Sequence, residues 1–243
     1  MIIVFIFGIL IGSFLNVCIY RIPKKENITT TRSHCMACGN VIKWYDLVPV
    51  LSYLILGGKC RFCKAKLSVQ YPIIELLNGL LYCLVFAVKG FTIESVLTCA
   101  LCSALIVIAV IDWRTYEIPF GLNVFIACIG AVRLATDYSN WTDYLIGAVC
   151  VSGFLLILYL VTKGRGIGGG DIKLMAAAGL FLGWKNIILA FVIGCILGSI
   201  IHLIRMKVSK AEHVLAFGPY LAAGIFVASL WGEQLINLYL SLY

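Results

Sequence analysis

Two aspartates, Asp112 in Val110-Ile111-Asp112-Trp113-Arg114 and Asp171 in Gly168-Gly169-Gly170-Asp171-Ile172-Lys173, sit where long apolar runs meet basic, turn-prone loops. A carboxylate beside a membrane span is costly to place, so it reads first as a functional residue. Two carboxylates at one depth are the minimum equipment for aspartyl proteolysis. Like charges that close cannot both ionise, so one takes a proton from water while the other, protonated, polarises the scissile carbonyl. Each aspartate also has a plainer reading. Asp171 opens a helix-like run and is equally a helix N-cap. Asp112 is equally an interfacial carboxylate, solvated or paired with Arg114. The glycines at 164, 166 and 168–170 let backbone approach a substrate closely. About sixty residues separate the two acids, so only the fold can bring them together.

A second group points to metal. Cys35-Met36-Ala37-Cys38 and Cys60-Arg61-Phe62-Cys63 are two C-x2-C pairs on knuckle-like turns. Four thiolates at that spacing match a closed tetrahedral zinc site, which is structural because no position stays open for water. Unliganded or redox thiols are the competing reading. A loop of about 50 residues is too small for a good apolar core, so a metal would carry much of its folding energy. The other seven cysteines (18, 83, 99, 102, 128, 150 and 195) lie in apolar stretches and read as small buried hydrophobes. His34 reads as a solvated loop histidine, and His202 and His213 as residues flanking a helix end.

The elements that must position these groups are membrane helices. The chain is 62% hydrophobic with a mean hydropathy of +1.04, against about half apolar for a soluble domain. Eight apolar segments are expected as spans: residues 1–20, 72–88, 95–111, 118–134, 144–162, 172–182, 187–205 and 214–231. The sixth is short and suits a tilted span, a half-helix or a re-entrant piece. Residues 233–243 read as an interfacial helix. The fold class is therefore an all-α polytopic membrane protein with about eight transmembrane segments and a small zinc-binding loop domain. Its expected divisions are a first helix (1–20), a four-cysteine loop (21–71) and a transmembrane region carrying the aspartates (72–243). The first twenty residues lack a basic n-region and a small-residue cleavage site, so they read as a retained span.

Charge gives an orientation. Residues 21–71 hold nine of the 19 Lys and Arg, which places that loop in the cytoplasm and the N-terminus outside. Alternation then puts Arg114, residues 163–173 and residues 205–210 on the cytoplasmic side, with both aspartates. The net charge of +8 is accounted for by this topology and by anionic lipid, and needs no nucleic-acid partner.

Taken in order, these features resemble the type IV prepilin peptidases, the bifunctional leader peptidase/N-methyltransferases of the GxGD aspartyl protease group. The resemblance is carried by Gly12-Ser13-Phe14-Leu15-Asn16-Val17 with Tyr20-Arg21-Ile22-Pro23, and by the four cysteines. It continues through Pro49-Val50-Leu51-Ser52-Tyr53, Tyr71-Pro72-Ile73-Ile74-Glu75, Asp112 with Ile118-Pro119, Gly168-Gly169-Gly170-Asp171 with Lys173-Leu174, and Phe217-Gly218-Pro219-Tyr220. It implies a bacterial plasma-membrane enzyme whose catalytic pair is Asp112 and Asp171, with Gly168, Gly169, Gly170 and Lys173 forming the substrate-side loop. The implied substrate is a prepilin or pseudopilin, cut after a glycine at the cytoplasmic face and then N-methylated from S-adenosylmethionine. Asn16, Arg21 and Glu75 are candidate methylation-side residues; their alternative is helix-end pairing or snorkelling. Gln70, Asp46 and Phe120 depart from the family pattern, which more often has Arg, Glu and Asp or Asn there. Two rivals remain at this level: a transporter or channel using intramembrane acids, and a zinc-bearing scaffold without chemistry.

Overall fold

A computed structural model describes residues 1–209 and 215–242. The described residues are helical and divide into two compact units, Met1–Phe91 and Thr92–Tyr243.

The first unit pairs α1 (Ile2–Arg21) with α3 (Gln70–Lys89). Small residues set that pairing. A Cβ on Gly8 would come within 2.7 Å of the Gly79 Cα, and one on Gly12 within 2.7 Å of the Glu75 Cα, so the two backbones touch. Close backbone approach is how helices associate where no hydrophobic effect drives them. The Asn78 amide adds a buried hydrogen bond to the Gly8 carbonyl at 2.7 Å. Between the helices, the loop contains a 3₁₀ turn (Trp44–Leu47), the short α2 (Leu51–Ile55) and two isolated antiparallel bridges, His34 with Val41 and Lys59 with Lys66.

The second unit is a bundle of α4 (Ile93–Thr115), α5 (Phe120–Thr136), α6 (Trp141–Val161), α7 (Gly169–Leu182), α8 (Trp184–Ser209) and α9 (Gly218–Leu240). The start of α4 is fixed by Thr92, whose hydroxyl accepts from the Ser95 N–H at 3.1 Å. Its end comes at Tyr116, in the left-handed region with φ +56°. Pro119 then sets the start of α5. α7 packs against α5 and α6, and α4 against α9. The α6–α7 contact is again backbone on backbone, since a Cβ on Gly147 would lie 2.5 Å from the Gly179 carbonyl oxygen. Leu101, Ile108, Ile126, Leu155, Leu174 and Ile225 fill the centre.

All eight expected apolar segments are helical. Length and composition qualify six of them to cross a membrane; α5, at 17 residues, and α7, at 14, fall short. At 1.5 Å per residue, α7 spans about 21 Å of a hydrocarbon layer about 30 Å thick. One expectation is corrected. Residues 233–240 are not a separate interfacial helix but the continuation of α9, because no helix-breaking residue follows Gly232 and the Asn237 and Tyr239 carbonyls still accept backbone N–H groups at its end. The expected start of the last segment at Val214, together with Lys210, His213 and Tyr243, lies outside the described residues.

Candidate active site and metal centre

Within the second unit, both aspartates are buried at one end of the bundle. Asp112 lies in the last turn of α4, 5% exposed, and its Oδ2 accepts the backbone N–H of Gly218 at 2.8 Å. The solvated or Arg114-paired alternative for Asp112 does not describe this environment: the carboxylate is taken up by the start of α9. Asp171 is the third residue of α7 and is 9% exposed. The N-cap is Gly168, not Asp171. Asp171 instead reaches back, its carboxyl lying against the Gly168 backbone N–H, which is the return half of a capping box. The two carboxyls are close enough to interact electrostatically. So the fold brings together two acids that the sequence separates.

The residues expected on the substrate side take different places. Gly168 and Gly169 are exposed, and nothing lies within 4 Å of where a Gly169 side chain would begin. Gly170 is closely packed on Ile118, where a Cβ would meet the Ile118 Cβ at 3.0 Å. The loop before Asp171 is therefore open on one side and seated on the other. Lys173 lies on the exposed face of α7, its ammonium 5.3 Å from the centre of the Phe120 ring. That cation–π contact gives Phe120 a role at a position where the family pattern more often has an acid or amide.

In the first unit, the Sγ atoms of Cys35, Cys38, Cys60 and Cys63 all lie within 4.8 Å of one another, with Cys35 and Cys63 at 3.8 Å. Zinc–sulfur bonds of about 2.3 Å in a tetrahedron put sulfurs about 3.8 Å apart, so the donor set fits zinc. The cluster is built from two similar turns. Gly39 N–H bonds the Cys35 carbonyl and Lys64 N–H bonds the Cys60 carbonyl, with Gly39 at φ +70° and Lys64 at φ +58°. The N–H groups of Cys38 and Ala37 point at the Cys35 sulfur and pull its thiol down to about 6, while Cys63, despite the Ala65 backbone bond, is pushed up to about 11 by burial and by the other three thiols, so the cluster shares its protons. His34 is exposed and outside the cluster. Asp46 ties the two halves of the loop together through a two-point ion pair with Arg61 (2.6 and 2.8 Å), which holds its carboxyl below the usual range. We expect purified protein to carry one zinc per chain by metal analysis. Cys35→Ser should lower that content and speed proteolysis of residues 22–69; zinc-free native protein with an intact loop would overturn the assignment.

The three candidate methylation-side residues line one cavity of about 680 Å³ in this unit, with Tyr20, Tyr53 and Tyr71. Asn16 is 2% exposed, donates to the Tyr71 carbonyl at 3.2 Å and accepts from the Gln70 amide at 3.3 Å. Arg21 does not snorkel: it donates to the carbonyls of Asn27, Thr31 and Arg32 and holds the start of the loop. Glu75 is 6% exposed, and its Oε2 accepts the Val50 N–H at 2.7 Å, with the Ser13 hydroxyl as a second partner. Val50 is held at φ +61°, a costly conformation for a β-branched residue and one that clusters at functional sites.

Comparison with known proteins gives the family. Residues 6–89 match the bacterial Peptidase A24 N-terminal domain, and residues 99–203 match the type IV leader peptidase family. A prepilin leader peptidase/N-methyltransferase of Bacillus subtilis (strain 168) is 33% identical over 99% of this chain and 98% of its own length. The chain belongs to the type IV leader peptidase family. Other leader peptidase/N-methyltransferases are nearly as similar: that of Pseudomonas aeruginosa is 32% identical over 96% of this chain and 91% of its own, and that of Aeromonas salmonicida 32% over 98% and 93%. No solved structure matches. As a leader peptidase family member, the chain has one site residue that sequence reasoning left without a role. Gly218 stood in the Phe217-Gly218-Pro219 motif, but only the fold discloses that its N–H is the partner of Asp112.

Proposed function

We propose that this protein is a membrane-embedded aspartyl endopeptidase that removes the short basic leader of prepilins or pseudopilins after a glycine. Asp112 and Asp171 form the catalytic pair: one accepts a proton from the attacking water as the other donates to the scissile carbonyl oxygen. The observation that carries the reading is the burial of both carboxyls at one end of the bundle beside an open glycine loop. That loop is where an extended substrate strand approaches, since glycine backbone admits a second chain at close range. The two aspartates and the cysteine loop face the cytoplasm, as the Lys and Arg distribution requires. A basic leader meeting a basic loop gains little from charge, so the apolar substrate helix supplies most of the binding. The transporter alternative gains no support from the relatives named above, which are leader peptidase/N-methyltransferases.

The second activity is N-methylation of the new N-terminus, with S-adenosylmethionine held in the cavity of the first unit. The residues fit that group. The cavity has the volume of a small-molecule site; tyrosines line it, and Glu75 offers a buried negative charge whose partners are both neutral, as a sulfonium requires. When bound, S-adenosylmethionine supplies the methyl group. Glu75 would hold the positive sulfonium, while Asn16 fixes the Gln70–Tyr71 end of α3 and Arg21 ties down the start of the loop. Zinc at Cys35, Cys38, Cys60 and Cys63 supplies folding free energy to that loop.

Purified protein in detergent, mixed with a full-length prepilin, should release the leader at the glycine junction, read by mass spectrometry. An intact prepilin after prolonged incubation with folded protein would end the proposal.

A further inference from the structure

The start of α9 has an unusual hydrogen-bond ledger. A helix begins with four N–H groups that find no partner within it. In α9 these are the positions of Phe217, the N-cap, and of Gly218, Pro219 and Tyr220. Pro219 has no N–H, and the Tyr220 N–H turns back to the Phe217 carbonyl at 3.1 Å, beside the first intrahelical bond from the Leu221 N–H. Among the first three helical positions of α9 the Gly218 N–H is therefore the one directed outward, and it bonds Asp112 Oδ2 at 2.8 Å.

We infer that Gly218 is a positioning residue for peptide hydrolysis: its N–H occupies Oδ2 of Asp112 and so fixes Oδ1 as the oxygen left for the reaction. This rests on the reading of Asp112 as a member of the catalytic pair. The lack of a side chain at 218 is required by the same contact. A Cβ there would stand 2.8 Å from Oδ2, 3.0 Å from Cγ and 3.1 Å from Cβ of Asp112. The backbone conformation does not demand glycine. The residue is helical, with no positive φ, so alanine suits its backbone. The three atoms nearest a methyl at 218 all belong to Asp112, so the methyl acts first on the carboxylate: it turns the acid or pushes the helix start away from it.

The test is steady-state cleavage of prepilin by Gly218→Ala, with thermal melting in the same detergent. The expected result is a fall in kcat of about 30-fold to 100-fold, as for a misplacement near 1 Å, with KM within about twofold and a near-native melt. Gly198→Ala is the control. The atoms nearest its methyl are those of the Phe217 and Tyr220 rings, no closer than 3.4 Å, which is ordinary contact, and activity should stay. Full kcat in Gly218→Ala would overturn the inference, as would a rise in KM that accounts for the whole loss. If Gly218→Ala does not fold, the pair Gly218→Ala/Asp112→Ala decides: recovery of the native melt places the clash on the carboxylate and supports the inference, and no recovery overturns it. Failure of the catalytic pair itself shows differently, as retained cleavage in Asp112→Asn.

Discussion

Asp112→Asn and Asp171→Asn are each expected to lower prepilin cleavage by about 10³-fold or more while leaving the protein folded. The substitution is well suited to this site. An asparagine at 112 keeps a carbonyl oxygen for the Gly218 N–H, and one at 171 keeps an oxygen for the Gly168 N–H, so the bonds that seat both side chains survive. What is lost is the capacity to take up or give a proton. Because the two acids work on one proton, neither is useful alone. The double variant should therefore be about as inactive as either single one, since effects of residues that act as a unit do not multiply. The measurement is the initial rate of leader release at several enzyme concentrations, with melting curves as the folding check. A single variant that retains a tenth of the native rate would remove that aspartate from the chemistry. A double variant whose loss is the product of the two single losses would show that the acids act independently.

The burial of these acids also explains why the sequence displayed so much of the fold and so little of the site's geometry. Lipid offers no partner to a backbone N–H, so a spanning segment must be a long apolar helix, and the eight apolar helices, six of them long enough to cross a membrane, can be read from hydropathy alone. Boundaries were legible where a residue enforces them. Pro119 fixes the start of α5, while Gly183, at φ +78°, closes α7. They were not legible at 233–240, expected as an interfacial helix of their own, because Glu233 and Gln234 cost a helix nothing and α9 runs through them. The cysteine cluster was visible because zinc chemistry fixes its spacing. The φ of +58° at Lys64 was not, since the second turn uses lysine where the first uses Gly39. The contact of Gly218 with Asp112 spans 106 residues and has no local signature. The same holds for Glu75, whose partner Val50 stands 25 residues away in a loop without periodicity. Pattern reports what neighbours in the chain share, and both sites are made of residues that become neighbours only on folding.

Glu75→Gln is expected to separate the two activities. The amide keeps an oxygen for the Val50 N–H and the Ser13 hydroxyl, so the loop stays seated and Val50 keeps the bond that offsets its strained backbone. Only the negative charge is lost. A buried carboxylate with neutral partners is a poor arrangement by itself, because nothing compensates its lost hydration. It becomes favourable when a cation enters beside it. Removing one member of such a buried charge pair costs about 2–5 kcal/mol, which is about 30-fold or more in affinity. Calorimetry should therefore find S-adenosylmethionine binding weakened by at least about that factor, and methyl transfer to cleaved pilin should fall with it. Binding of the product S-adenosylhomocysteine, which differs by a neutral sulfur in place of the sulfonium, should change far less. Leader cleavage by the same preparation should persist, because Asp112 and Asp171 belong to the other unit. Equal weakening of both ligands would mean that Glu75 acts through the shape of the loop and not through its charge. Unchanged binding of both would move the methyl donor out of this cavity.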